Sequence, residues 1–306
     1  MKTHILVILC AALSLPSISI ASEVPTETID FPGATFNRAI GINDHGQIVG
    51  RYVSDGVTHG YLWNDGVFST IDFPGANSTQ AHGINNSSAI VGFYNDGTNH
   101  GFLLDDGVFS TIDFPGATLT EALGINDHGQ IIGDYIANDV EKFHGFLLDD
   151  GVFSTIDFPG ADHTEPFGID NNGRIVGLYI SGSVSHGFLL DDGVFSTIDF
   201  PGANRTDAFG INDSGAIVGS YNDGTNHSFL LDGGVFSTID FPPEITPTRT
   251  FGINNNGQIV GVYAGGRHGF LATAIPESIP EPSSVIGLLG FASFWSASKF
   301  KGKKKT

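Results

Sequence analysis

The sequence predicts an all-β fold, and three observations carry that prediction. The triplet Thr-Ile-Asp begins at Thr28, Thr70, Thr111, Thr155, Thr197 and Thr238, so one unit recurs at spacings of 42, 41, 44, 42 and 41 residues. Each unit breaks into four short runs rich in Ile, Val, Phe and Tyr, parted by turn clusters, with neither helical spacing nor helix caps. The chain opens with one isolated run and closes three runs into a unit. Together these predict a six-bladed β-propeller of four-stranded blades, its ring closed by the N-terminal strand completing the last blade.

Lettering the strands A to D outward from the axis, the second unit places A at 81–85, B at 89–94, C at 100–104 and D at 108–114. "NNSS", "NDGTN" and "DDG" part them. Asp-Gly between apolar runs marks a hairpin, because glycine tolerates the positive φ of the tight turn. The phrase "LLDDGVFSTIDFPGA" stands unchanged at 103–117, 147–161 and 189–203, where it is the C–D hairpin and the exit to the next blade. At the ends, a lone D strand is expected at 28–31, with A, B and C of the last blade at 251–254, 258–263 and 268–272. The first strand would then leave no open sheet edge.

The two ends lie outside this fold, which is expected over residues 22–276. Residues 1–21 read as a secretory signal: Lys2, the apolar run 5–15, and the small-x-small site Ser19-Ile20-Ala21. That run is too short to span a bilayer. At the other end Pro280-Glu281-Pro282 precedes "SSVIGLLGFASFWSAS" and then "KFKGKKKT". This layout resembles the PEP-CTERM sorting tail of Gram-negative bacteria, here over 277–306. The resemblance implies export, transient membrane anchoring, processing by an exosortase, and a place at the cell surface or in an exopolysaccharide matrix. A C-terminal anchor that is never cut is the alternative.

Residues 22–276 contain no Cys and no Met, which excludes thiol chemistry and a disulfide framework there. They hold 7 basic and 31 acidic residues, a net charge of −24. Such a body repels nucleic acid and anionic lipid. The pattern "GINxxGxIVGxY…HGFLL" is similar to the HAF-type probable extracellular repeat. That repeat is named for a His-Ala-Phe triplet, from which this chain departs at the middle position, as in His100-Gly101-Phe102 and His227-Ser228-Phe229, and also at the last in His59-Gly60-Tyr61. That resemblance implies an extracellular repeat protein and brings no activity with it.

One histidine recurs per unit, at His59, His100, His144, His186, His227 and His268. They open strand C, two strand spacings of ~4.8 Å beyond strand A. Neighbouring copies then stand more than ~10 Å apart, whereas a metal needs all its ligands near ~2 Å. A structural role, holding a turn or inter-blade backbone group, is expected. The Asx-rich A–B turns "INDHG", "INNSS", "IDNNG", "INDSG" and "INNNG" lack the spacing of a calcium loop and read as turn chemistry. No cofactor is expected, and weak surface calcium binding stays open on charge alone. No nucleophile elbow, metal-protease helix or phosphate loop occurs. Glu141, beside Lys142, is a unique acid in a longer B–C loop.

A binding site should break the repeat. Just before strand A the equivalent positions are Arg38, Gln80, Glu121, Glu165, Asp207 and Arg249. Acids hold blades three to five, and arginines hold blades six and one, which are neighbours around the ring. A polarised rim at the channel mouth is therefore the candidate binding site; ordinary solvated loop variation is the alternative. The reading is a surface or matrix binding module, with extracellular polysaccharide or a surface protein as partner. The competing reading is a hydrolase or lyase acting on glycans. Symmetry-breaking carboxylates converging in the central cavity at ~5–10 Å would favour the enzyme.

Overall fold

The computed structural model describes residues 27–137, 142–239 and 248–273, and contains six four-stranded antiparallel sheets in a ring with no helix among those residues. This is a six-bladed β-propeller. Blade one runs Phe36–Ile42, Ile48–Ser54, Val57–Asn64 and Val67–Ile71, hydrogen-bonded in that order. Blades two to five repeat the meander over 78–112, 117–156, 163–198 and 205–239. Blade six joins Arg249–Ile253, Gln258–Tyr263 and His268–Thr273 to the first strand of the chain, Glu27–Ile29. The signal expected at 1–21, the sorting tail expected at 277–306 with Pro280, Glu281 and Pro282, and Glu141 lie outside the described residues. Among the described residues no helix is long and apolar enough to cross a membrane.

The core lies between blades. One representative cluster joins Val49 and Ile71 of blade one to Ala81, Ile84, Ile90, Tyr94 and Phe102 of blade two. The strand-C aromatic of each blade (Tyr61, Phe102, Phe146, Phe188, Phe229, Phe270) is among the largest fully buried side chains. Its ring covers the strand-B glycine of "IVGxY". A Cβ at Gly92 would stand 2.9 Å from the Phe102 ring and 2.0 Å from the Gln80 carbonyl, so only glycine fits there.

Strand D is shorter than the sequence suggests. It ends at Ile112, not at Phe114, because the Ala117 amide donates to the Phe114 carbonyl at 3.0 Å and turns the chain. Each residue of the exit phrase has its own task. Ile112 is buried; Asp113 lies 2.9 Å from Nδ1 of His100; Phe114 stacks on Tyr135 of the next blade at 3.7 Å. The same stack recurs as Phe31–Tyr52, Phe73–Tyr94, Phe158–Tyr179 and Phe200–Tyr221, each with ring centres 3.7 Å apart.

The histidines are structural, although their partner is not the turn or inter-blade backbone group expected. His59, His100, His144, His186 and His268 each place Nδ1 within 2.6–3.0 Å of an Asp closing strand D of their own blade. All six, His227 included, stack on the strand-B tyrosine. Among the described residues no group of three or more His, Cys, Asp or Glu could hold a metal ion.

The A–B turns carry turn chemistry and something more. Asn43 Oδ1 accepts from the His45 and Gln47 amides, the local bond expected of Asx. Its Nδ2 then donates across the junction to the Asn85 carbonyl at 3.0 Å. The next residue around the ring reads Asp44, Asn86, Asp127, Asn171, Asp213, Asn255, acid and amide by turns. Each amide donates to the Oδ2 of both flanking acids at 2.8–3.0 Å. Each backbone N–H donates to the next side chain's Oδ1 at 2.7–2.9 Å. Burial works against the Asp44 carboxylate, but hydrogen bonds from Asn255 and Asn86 outweigh it and hold its carboxyl below the ordinary value. In blade four Asp170 replaces the donating Asn, and Arg174 takes over: it bonds Asp170 and reaches the Asp213 carbonyl at 3.0 Å.

The first strand closes the ring as any internal junction would. Thr28 pairs with Phe270 and Ile29 with Gly269; Ile29 is fully buried and its carbonyl accepts from Asn37 Nδ2. Deleting residues 27–31 should therefore lower Tm by about 10 °C or more, or drive self-association through the bare edge. A deletion variant that melts like the full chain and stays monomeric refutes closure. Asn86→Asp sets three carboxylates in a row and removes two donors. It should cost about 2–4 kcal/mol at pH 7 in denaturant titrations. Crowding raises the pKa of the new acid, so the deficit should narrow as pH falls below about 4.

Candidate functional site

Strand A of every blade faces the axis, and together these strands enclose a cavity of about 360 Å³. Of the six positions of the candidate rim, Arg38, Gln80, Glu121, Glu165 and Arg249 line it. They lie within strand A rather than just before it: Arg38, for instance, falls inside Phe36–Ile42 and pairs across to Arg51. Asp207 is the exception. It is 1 % exposed, is gripped by Arg205 at 2.8 Å and Ser185 at 2.6 Å, and stands 3.8 Å from Arg249.

Two further charged residues line the cavity from outside the strand-A column. Arg51 and Asp134 reach the cavity from strand B, opposite Arg38 and Glu121 respectively. The signal for them is the variable residue in Gly-x-Tyr, which reads Arg51, Phe93, Asp134, Leu178, Ser220 and Val262 while its neighbours stay fixed. One layer deeper stand Ile40, His82, Leu123, Phe167, Phe209 and Phe251, with the last three in edge or tilted contact at 5.2 and 5.4 Å. A ring of six isoleucines, including Ile42, Ile84 and Ile125, then separates the cavity from a small space of about 80 Å³ at the Asp/Asn ring.

The walls are electrically opposed. Arg38, Arg51 and Arg249 adjoin one another across the ring closure. Burial, then repulsion from Arg51 and Arg249, pulls Arg38 down to about 10. Burial lowers Arg51 and Arg249 too, partly offset by Glu121 and Asp207 respectively. Arg51 donates to Gln80 Oε1, and the Nε atoms of Arg38 and Arg51 are buried without a partner. Phenylalanine faces support the guanidinium groups: Arg38 lies 5.1 Å from the Phe36 ring and Arg249 lies 5.4 Å from Phe209. His82, beside them, is held neutral, pushed down to about 3 by burial and by the Arg51 and Arg38 charges.

Facing them are Glu121, Asp134 and Glu165. Burial raises all three, and mutual repulsion adds to the rise at Asp134 and Glu165. Glu121 keeps some relief from Asn99, which donates to it at 2.5 Å, and from Arg51. Glu165 is pushed up to about 7, by burial first and then by Glu121 and Asp207. Asp134 is 3 % exposed, and its Oδ1 has no hydrogen-bond partner. The acidic wall therefore holds its protons more tightly than ordinary carboxyls do, with Glu165 titrating at about 7.

The fold and this axial cavity define a ligand-sized chamber in a closed propeller. No family model matches the chain, and no curated protein matches it. Solved propellers do. The chain is similar to a catalytically inactive virginiamycin B lyase from Staphylococcus aureus solved with quinupristin, at 12 % identity over 82 % of this chain and 100 % of that one, TM-score 0.51. It is also similar to the propeller domain of the Trilobed protease from Pyrococcus furiosus, at 14 % identity over 82 % and 85 %, TM-score 0.52. A protein provisionally assigned as a gluconolactonase gives 14 % identity over 82 % and 92 %, TM-score 0.53. At such identities the likeness is one of fold.

The elevated Glu165 carboxyl makes a pH-dependent prediction. In the folded chain it holds a proton up to about pH 7 that the unfolded chain releases near 4.5. Stability contributed at this site is thus present below about 4.5 and lost as pH rises through 7. Glu165→Gln should raise Tm by about 2–4 °C at pH 8, on the order of 1 kcal/mol after solvent screening. The gain should vanish near pH 4.5 in melts across that range.

Proposed function

We propose that this chain is an exported protein of the cell surface or exopolysaccharide matrix, and that its propeller is a binding module whose ligand enters the central cavity. The signal-like start, the PEP-CTERM-like tail and the HAF-type repeats support export and place. The partner they suggest is matrix polysaccharide or another surface protein, with an exosortase as the processing enzyme.

One observation carries the binding role. Scaffold positions repeat almost without change, whereas the charged cavity columns on strands A and B vary from blade to blade. Burying charged groups that lack partners costs stability, and a mere scaffold has no use for it. Such local violations concentrate at functional sites. The net charge of −24 over residues 22–276 argues against nucleic acid as the ligand.

A second reading, a glycan hydrolase or lyase, gains from Glu165. A carboxyl raised to about 7 beside other acids matches what general acid catalysis requires. Glycan fragments incubated with the protein and then examined for new reducing ends or unsaturated products distinguish this reading, with Glu165→Gln as the control.

The binding role predicts saturable capture on a glycan array or a panel of surface proteins, measured with and without calcium. Joint substitution of Glu121, Glu165 and Asp207 by Ala should weaken that capture at least about ten-fold. Unchanged binding by the triple variant would remove the cavity from consideration.

A further inference from the structure

The two walls of the cavity need different things from a ligand. On the basic wall, Arg38 and Arg51 make no ion pair with an acid among the described residues, and each leaves a buried Nε without a partner. Arg249 shares Asp207 with Arg205, which holds that acid more closely, at 2.8 Å against 3.8 Å. Three largely buried guanidinium groups, with Arg38 repelled by the other two, are relieved by an anion, and their planar forks match a carboxylate.

On the acidic wall the deficit is reversed. Glu121, Asp134 and Glu165 stand together, and the Asp134 Oδ1, nearly sealed from solvent, accepts nothing. The cations that temper this group are Arg51, acting on Glu121, and Arg205, acting on Glu165. Three crowded carboxyls are relieved by a cation that can donate several hydrogen bonds. An ammonium group does this with three N–H donors. One layer below the two walls the lining is largely apolar and aromatic, with Phe167, Phe209 and Phe251 side by side.

Resting on the reading of the cavity as the ligand site, the geometry points to a zwitterion of amino-acid to dipeptide size, its carboxylate on Arg38, Arg51 and Arg249 and its ammonium on Glu121, Asp134 and Glu165. An apolar side chain packs on the phenylalanines. A sugar acid satisfies only the basic wall, and a neutral sugar satisfies neither. A chamber of about 360 Å³ has room for a dipeptide or for the free end of a longer chain.

Glycyl-leucine, N-acetyl-glycyl-leucine, glycyl-leucinamide and galacturonic acid, titrated calorimetrically into the purified protein at pH 7, test this. The free dipeptide should bind saturably, and blocking either end should weaken it about ten-fold or more. An arriving ammonium favours ionised carboxyls, so binding should release protons, seen as heat that changes with the ionisation enthalpy of the buffer. The groups concerned are Glu165 and those facing it: Glu121, Asp134, Asp207 and Arg205.

Joint Asp134→Asn and Glu165→Gln should shrink the preference for the free over the acetylated dipeptide to under about three-fold, and Arg51→Gln should do the same for the free over the amidated one. These are ratios within one folded variant, so a general loss of stability does not imitate them. Equal binding of all three peptides, or tighter binding of galacturonic acid, overturns the zwitterion while leaving the cavity as the site. No binding of any peptide, together with unchanged array binding by the triple alanine variant, overturns both.

Discussion

The contact on which this molecule depends is the stack between the phenylalanine leaving one blade and the tyrosine on strand B of the next. At 3.7 Å the two rings touch face to face, and the same exit phrase places an isoleucine in the core and an aspartate against a histidine. A single four-stranded sheet of this size cannot cover its own apolar faces. Each blade is stable only between two neighbours, so the chain must come round to its start. Phe31 on Tyr52 and Ile29 in the sheet of blade six show that the last junction is built from the same parts as the others.

The architecture was legible because a repeat states its own rules several times. Blade number, strand order and ring closure all follow from counting runs and noting that the first and last units are complementary. Bounds were less legible. Strand D stops at isoleucine because the Phe-Pro-Gly-Ala turn captures the next residues, and hydrophobicity alone does not show a turn beginning at phenylalanine. The histidines read as structural, but their acid partner was hidden because Asp30, Asp72 and their equivalents look like turn residues. Contacts across blades were invisible for a different reason. The Asp/Asn ring joins residues 41–44 apart between successive blades and 211 apart at the closure, and no local pattern reports bonds that exist only once blades have packed together.

The candidate site divides in the same way. Its strand-A members were visible as a variable column in an otherwise fixed pattern, and their order around the ring gave its polarity. Arg51 and Asp134 occupy the matching column on strand B, where a hydrophobic run drew attention away from a single polar substitution. Asp207 was placed at the mouth by its column and drawn away from it by Arg205, a partner two residues distant. The chamber results from a regular frame that fixes direction and irregular side chains that supply charge.

The acid–amide alternation around the axis has an arithmetical consequence. A circle can alternate two kinds of member only when its membership is even. Inserting one unit would bring two acids or two amides together, leaving either adjacent anions or donors with nothing to receive them. A chain of this kind therefore grows or shrinks most comfortably by pairs, so its true building block is a doublet of blades and its hidden symmetry is threefold.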